Sequence, residues 1–161
     1  MIKHPFDAIY NKDSKILILG SFPSVKSREQ KFFYGHPQNR FWKVIAAIFD
    51  EKVPATIEEK RLLLIRNKIA LWDVIASCQI NGSSDSSITD VIPNDLSPIF
   101  KCANIEKVFC NGSKSYELYQ KYIFPINGIR AEKLPSTSPA NASWNLDKLR
   151  REWKSNLDLK N

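Results

Sequence analysis

A chain of 161 residues is of single-domain size, long enough to bury roughly 70% of its unfolded surface. With 43% hydrophobic and 25% charged residues it has the composition of a soluble globular protein, and no apolar run approaches the ~20 residues needed to cross a bilayer. Lys and Arg outnumber Asp and Glu by 24 to 17, a net charge of +7 that suits a polyanionic partner but also fits a merely basic protein.

The opening stretch MIKHPFDAIY lacks the apolar core of an export signal, so a cytoplasmic location is expected. The first β-rich run is KILILG at 15–20, followed by the turn-forming GSFPS. Aromatics crowd the next segment, which ends in YGHPQNRFW at 34–42 and leads into the helical pattern RFWKVIAAIF at 40–49. Pro37 disfavours helix at His36, which sets the helix start near Asn39 or Arg40 with Asn39 at or beside the N-cap. A second helix is predicted over 56–67, where Thr56 as cap and Glu59 three residues on have the spacing of a capping box.

IALWDVI at 69–75 reads as the second strand, and the serine-rich stretch at 81–87 as a loop. KVFCNG at 107–112 is the third strand and SKSYELYQKY at 113–122 a helix; IRAEKLP at 129–135 is the fourth strand, and an amphipathic helix closes the chain over 145–157. Cys78, Cys102 and Cys110 are odd in number and lack CxxC spacing, so they read as reduced thiols rather than disulfides or metal ligands. Strands alternating with helices predict an α/β fold with parallel pairing, right-handed crossovers and helices on both faces. Ligands of such sheets bind at the carboxyl ends of the strands, so the segments after each strand should converge on one edge.

Three of those segments are candidates for chemistry. GSFPS has neither the P-loop nor the dinucleotide spacing, so no nucleotide cofactor is indicated; Gly20 and Pro23 suit a tight turn, whether as an ordinary corner or as a backbone wall with amides facing a pocket. In YGHPQNRFW, Asn39 is either a cap or a functional amide, His36 is a lone imidazole with no visible partner, and the loop aromatics suit stacking on a planar ligand. LPSTSPANAS, between the last strand and the last helix, carries short hydroxyl side chains of the kind that contact phosphates.

In combination, GSFPS, YGHPQNRFW, LWDVI and LPSTSPAN in this order resemble the uracil-DNA glycosylase superfamily, and within it the hypoxanthine-DNA glycosylase branch, or family six. The resemblance covers about Ile16 to Trp144 and implies a three-layer α/β/α fold with a central four-stranded parallel sheet, filling residues 1–161 as a single domain. It implies a monofunctional enzyme of base excision repair that flips deaminated bases, hypoxanthine and perhaps uracil, out of double- or single-stranded DNA and hydrolyses the N-glycosidic bond. It implies neither cofactor nor metal, and a monomer is expected. By the same resemblance Asn39 is catalytic, holding the water that attacks C1′; Gly20, Ser21 and Phe22 wall the base; and Phe33 or Tyr34 stacks on it. Ser136, Thr137 and Ser138, with His36 and Asn141, would contact DNA.

The chain departs from the uracil-specific members in having no aspartate in GSFPS and no histidine in LPSTSPAN, which argues against their carboxylate-plus-imidazole arrangement. Asp73 ends the second strand at a position similar to a base-reading asparagine of the superfamily; it would accept from hypoxanthine N1–H or uracil N3–H, or else cap a turn. The rival readings are a uracil- or mismatch-specific glycosylase, a non-catalytic single-strand-binding module, for which Asn39 would be dispensable, and a serine hydrolase, which lacks its GxSxG elbow.

Overall fold

Five consecutive buried residues with no polar alternate put Ile16–Gly20 in the interior of a parallel sheet, where both strand faces are covered. The structure is a computed structural model and describes residues 1–157. In chain order the elements are β1 (Ile2–Lys3), β2 (Ile16–Gly20), α1 (Val25–Gln30), α2 (Phe41–Ile48), α3 (Ile57–Arg66), β3 (Ile69–Asp73) and β4 (Ile75–Gln79). A 3-10 turn at Asp85–Ser87 precedes β5 (Thr89–Pro93), α4 (Ser97–Cys102), β6 (Lys107–Asn111), α5 (Ser113–Tyr122), α6 (Phe124–Asn127), β7 (Glu132–Leu134) and α7 (Leu146–Leu157).

The central sheet has the order β3-β2-β6-β7 and every pairing in it is parallel. Alternate residues of β2 serve opposite layers: Ile16 and Ile18 pack with Phe41, Leu63, Leu64 and Trp153 of α2, α3 and α7, while Leu17 and Leu19 pack with Ile99, Leu118 and Tyr119 of α4 and α5. This is the expected three-layer α/β/α arrangement. Thr56 accepts from the Glu59 amide, the first half of the capping box that the spacing predicts, while the Glu59 carboxylate accepts from the Ala55 amide, one residue before the cap, instead of from Thr56. Register places Gly20 opposite Asp73, and β6 ends beside them at Asn111. Among the described residues no helix is long and apolar enough to cross a membrane.

The run at 69–75 is not one strand. β3 ends at Asp73, and from Ile75 the chain turns into β4, which joins β1 and β5 in a separate antiparallel sheet of order β1-β4-β5. β4 ends at Gln79, ahead of the serine-rich stretch at 81–87, which contains no strand. β1 is a two-residue edge strand, and the residues of β5 are exposed or half-buried, so neither carries the apolar alternation that marks a strand. The fourth strand is shorter than the run expected at 129–135, three residues from Glu132. Phe32, expected on a stacking surface, is in the core, stacked on Trp42 with ring centroids 6.0 Å apart.

Candidate active site

The carboxyl ends of β2, β3 and β6 and the segment after β7 enclose a cavity of about 310 Å³. Gly20, Ser21, Phe22, Phe33, Tyr34, His36, Asn39, Asp73, Ser136, Thr137 and Ser138 all line it. Asn141 does not; it lies in the adjoining groove, where its amide donates to Ser136 O at 3.0 Å. The convergence follows from the parallel sheet, which brings every strand's C-terminal residue to one edge.

Asn39 sits just before α2. Its Oδ1 accepts from the Phe41 amide and from the Thr137 hydroxyl, each at 2.9 Å, which uses both lone pairs of the oxygen. Its carboxamide N–H groups have no protein partner among the described residues and are available to the cavity. The expected capping role and a functional role are thus compatible: the oxygen caps and the nitrogen is free.

A hydrogen-bonded chain runs on from Thr137. Asn111 Nδ2 donates to Thr137 Oγ1 at 3.0 Å and to the Tyr34 hydroxyl at 3.1 Å, while its Oδ1 accepts the Thr137 amide at 3.1 Å. Tyr34 has a positive φ of 51° and stacks on Phe41 at 4.2 Å, so one face of its ring is taken by the core. Burial, and after it the Asp73 charge, push its phenol far above the ordinary value of 10.0. It therefore stays a neutral hydroxyl.

Asp73 is 4% exposed. Its Oδ2 lies 2.7 Å from His4 Nε2, and its carbonyl accepts from Asn94 Nδ2 at 2.8 Å. A Cβ at residue 20 would collide with Asp73 Oδ1 and come within 3.0 Å of the Tyr34 hydroxyl, so the site requires glycine there. The turn-capping alternative for Asp73 is not what is seen, since its side chain is held by an imidazole from the N-terminal segment.

At the rim, His36 Nδ1 accepts from the Gln38 amide at 3.1 Å, which leaves the proton on Nε2. Ser136 Oγ accepts from the Ser138 amide and Ser138 Oγ from the Ala140 amide, so both hydroxyl protons remain to be donated. Thr137 differs from its serine neighbours: it is 0% exposed and its hydroxyl points inward to Asn39, so its side chain is not placed to grip a phosphate. Arg40 holds the loop from below. Its guanidinium donates to the carbonyls of Thr137, Ser138, Asn141 and Trp144. Asp85 lines the cavity as well, receives the Ser21 hydroxyl at 3.4 Å, and has its carboxyl pushed up by burial.

His4, Arg40, Asp85, Asn94 and Asn111 were not singled out from sequence. Asn111 had a usable signal, since it ends a predicted strand on the same edge as Gly20 and Asp73. His4 had none, because its partner is 69 residues away. No group of three or more His, Cys, Asp or Glu among the described residues is arranged to hold a metal ion.

The family model of the uracil DNA glycosylase superfamily matches residues 8–160. A hypoxanthine DNA glycosylase of Methanosarcina acetivorans is 34% identical over 157 residues, covering 96% of this chain and 98% of that protein. One from Methanosarcina barkeri is 37% identical over 143 residues, covering 88% and 89%. A solution NMR structure from Methanosarcina acetivorans, provisionally described as a uracil DNA glycosylase, superposes with a TM-score of 0.81 at 34% identity over 96% of each chain.

Proposed function

The chain belongs to the uracil-DNA glycosylase superfamily, and from that premise we propose that it is a monofunctional DNA glycosylase that releases hypoxanthine from DNA. The observation that carries this reading is the meeting of the Asn39 amide, the Tyr34 hydroxyl and the Asp73 carboxylate around one cavity. A flipped hypoxanthine presents an N1–H donor, for which Asp73 Oδ1 is the acceptor; adenine N1 and cytosine N3 carry no proton and would face that oxygen with like partial charge. Tyr34, half-buried, offers ring surface to the base, whereas Phe33 at 2% exposure has little to offer. Phe22 closes the opposite wall.

Cleavage breaks the bond from C1′ to the base nitrogen, with the electron pair leaving on the base. Water then adds to C1′ of an oxocarbenium-like sugar, and its proton ends on the released base. Asn39 donates its amide N–H to that water, leaving an oxygen lone pair aimed at C1′. Placement of this kind lowers the barrier by removing the entropic cost of an encounter. Backbone N–H groups of the GSFPS turn would stabilise charge developing on the base. Among the described residues no lysine lines the cavity, which supports hydrolysis without a Schiff base.

The Ser136 and Ser138 hydroxyls and His36 Nε2–H contact phosphates at the rim, and Asn141 stiffens that loop. The enzyme acts as a cytoplasmic monomer, a reading that the free thiols Cys78, Cys102 and Cys110 favour.

The test is incubation with single- and double-stranded oligonucleotides carrying one deoxyinosine or one deoxyuridine, followed by alkali. Alkali-dependent breaks at deoxyinosine are expected, lost in Asn39→Ala and strongly reduced in Asp73→Ala. Breaks that appear without alkali would contradict the monofunctional assignment, and no break at any lesion would overturn the glycosylase.

A further inference from the structure

His4 lies outside the cavity but is built against its base-reading wall. β1 pairs antiparallel with β4, and the His4 amide donates to Ala76 O at 2.8 Å, which carries the imidazole under Asp73. The rings of Trp72 and Phe6 pack on it at 4.4 and 4.5 Å, with Phe22 and Phe33 beyond, and the side chain is 3% exposed. It cannot swing away.

The tautomer follows from its neighbours. The Phe6 amide points at Nδ1 at 3.5 Å, so Nδ1 accepts and Nε2 carries the proton, which it donates to Asp73 Oδ2 at 2.7 Å. Oδ2 is thereby occupied by a donor, and any proton added to the carboxyl has to sit on Oδ1, the oxygen beside Gly20 and the Tyr34 hydroxyl. A protonated Oδ1 would be a donor facing the base, complementary to adenine N1 instead of hypoxanthine N1–H. The other ionisable side chains facing the same cavity are Tyr34, His36 and Asp85; the remaining neighbours of the imidazole are aromatic rings and backbone.

We propose that His4 is a specificity-setting positioning residue: its Nε2–H keeps Asp73 a pure acceptor, so that the pocket takes hypoxanthine and refuses adenine. This rests on the base-reading role given to Asp73 above.

Single-turnover release of hypoxanthine and adenine from matched oligonucleotides, followed from about pH 6 to about pH 9, tests it. In His4→Phe, hypoxanthine release should fall about tenfold near neutrality, with the adenine-to-hypoxanthine rate ratio rising. His4→Gln, which retains an amide donor, should recover most of the loss, and His4→Phe should add nothing in an Asp73→Ala background. A folded His4→Phe with the parent's rate, ratio and pH profile overturns the proposal. So does a deficit that His4→Gln does not relieve, which would be packing alone.

If Asp73→Ala changes neither rate nor ratio, the base-reading role itself fails; if it does but His4→Phe does not, only the role of His4 fails. Nitrogen-15 NMR of the unaltered protein gives a check that needs no variant: His4 should carry a proton on Nε2, and an Nε2 without one would overturn the assignment.

Discussion

The Thr137 hydroxyl donates to Asn39 Oδ1 at 2.9 Å across 98 residues of chain. This bond, with that from the Phe41 amide, fixes which end of the Asn39 carboxamide faces the cavity. Thr137→Val keeps the shape and removes one donor, so the amide gains freedom to turn its oxygen inward. Base release should slow about tenfold, well short of the loss in Asn39→Ala, with a stability cost of about 1 kcal/mol. Single-turnover rates and thermal melts of both variants check this. Equal rates for Thr137→Val and the parent would mean that Asn39 needs no such support.

Arg40 spends its guanidinium on the carbonyls of Thr137, Ser138, Asn141 and Trp144. Arg40→Ala should release the loop at 136–144 and cost about 2 kcal/mol of stability, because charge-assisted bonds in a partly buried site are lost. Excision from a lesion duplex should fall more than excision from a single strand, since only the duplex has a stack for the loop to open. Joint replacement of Ser136 and Ser138 by alanine should reproduce the duplex defect with little change in melting. Identical losses on both substrates would remove the loop from strand opening.

Burial pushes the Cys110 thiol from an ordinary 9.0 up to about 12, and Tyr34 moves the same way from 10.0. Both values are raised in the folded state, so the unfolded chain ionises first as pH increases. The stability they contribute is complete below about pH 9 and is lost as pH climbs toward the folded values. Melting temperature should therefore drop steeply between about pH 9 and about pH 11, and less steeply in Cys110→Ala. Thiol reagents should label exposed Cys102 rapidly in the native protein and reach buried Cys78 and Cys110 only on unfolding. Rapid native labelling of Cys110 would contradict this.

β2, β3 and β6 and the long helices were legible because each has a local cause: short apolar runs for buried parallel strands, a 3.6-residue period for α2, α5 and α7, and the capping-box spacing of Thr56 and Glu59 for α3. Parallel topology then sends the ends of those strands to one edge, which groups Gly20, Asp73 and the 136–138 segment from sequence, whereas Asn39, which follows no strand, joins them only through the family resemblance. The antiparallel sheet was illegible, since a two-residue edge strand and a largely uncovered one have no periodic burial to betray them. The pairings within the site were illegible for a different reason. His4 with Asp73, Thr137 with Asn39, and Arg40 with the loop carbonyls join residues 69, 98 and about a hundred positions apart, and such partners are selected by packing, not by neighbouring sequence. Sequence determined most of the side chains that reach the cavity, though not Asp85 or Asn111; the tertiary structure decided which of their atoms face it, because a buried polar atom turns toward whatever partner the fold supplies and leaves only its remaining valence to a ligand.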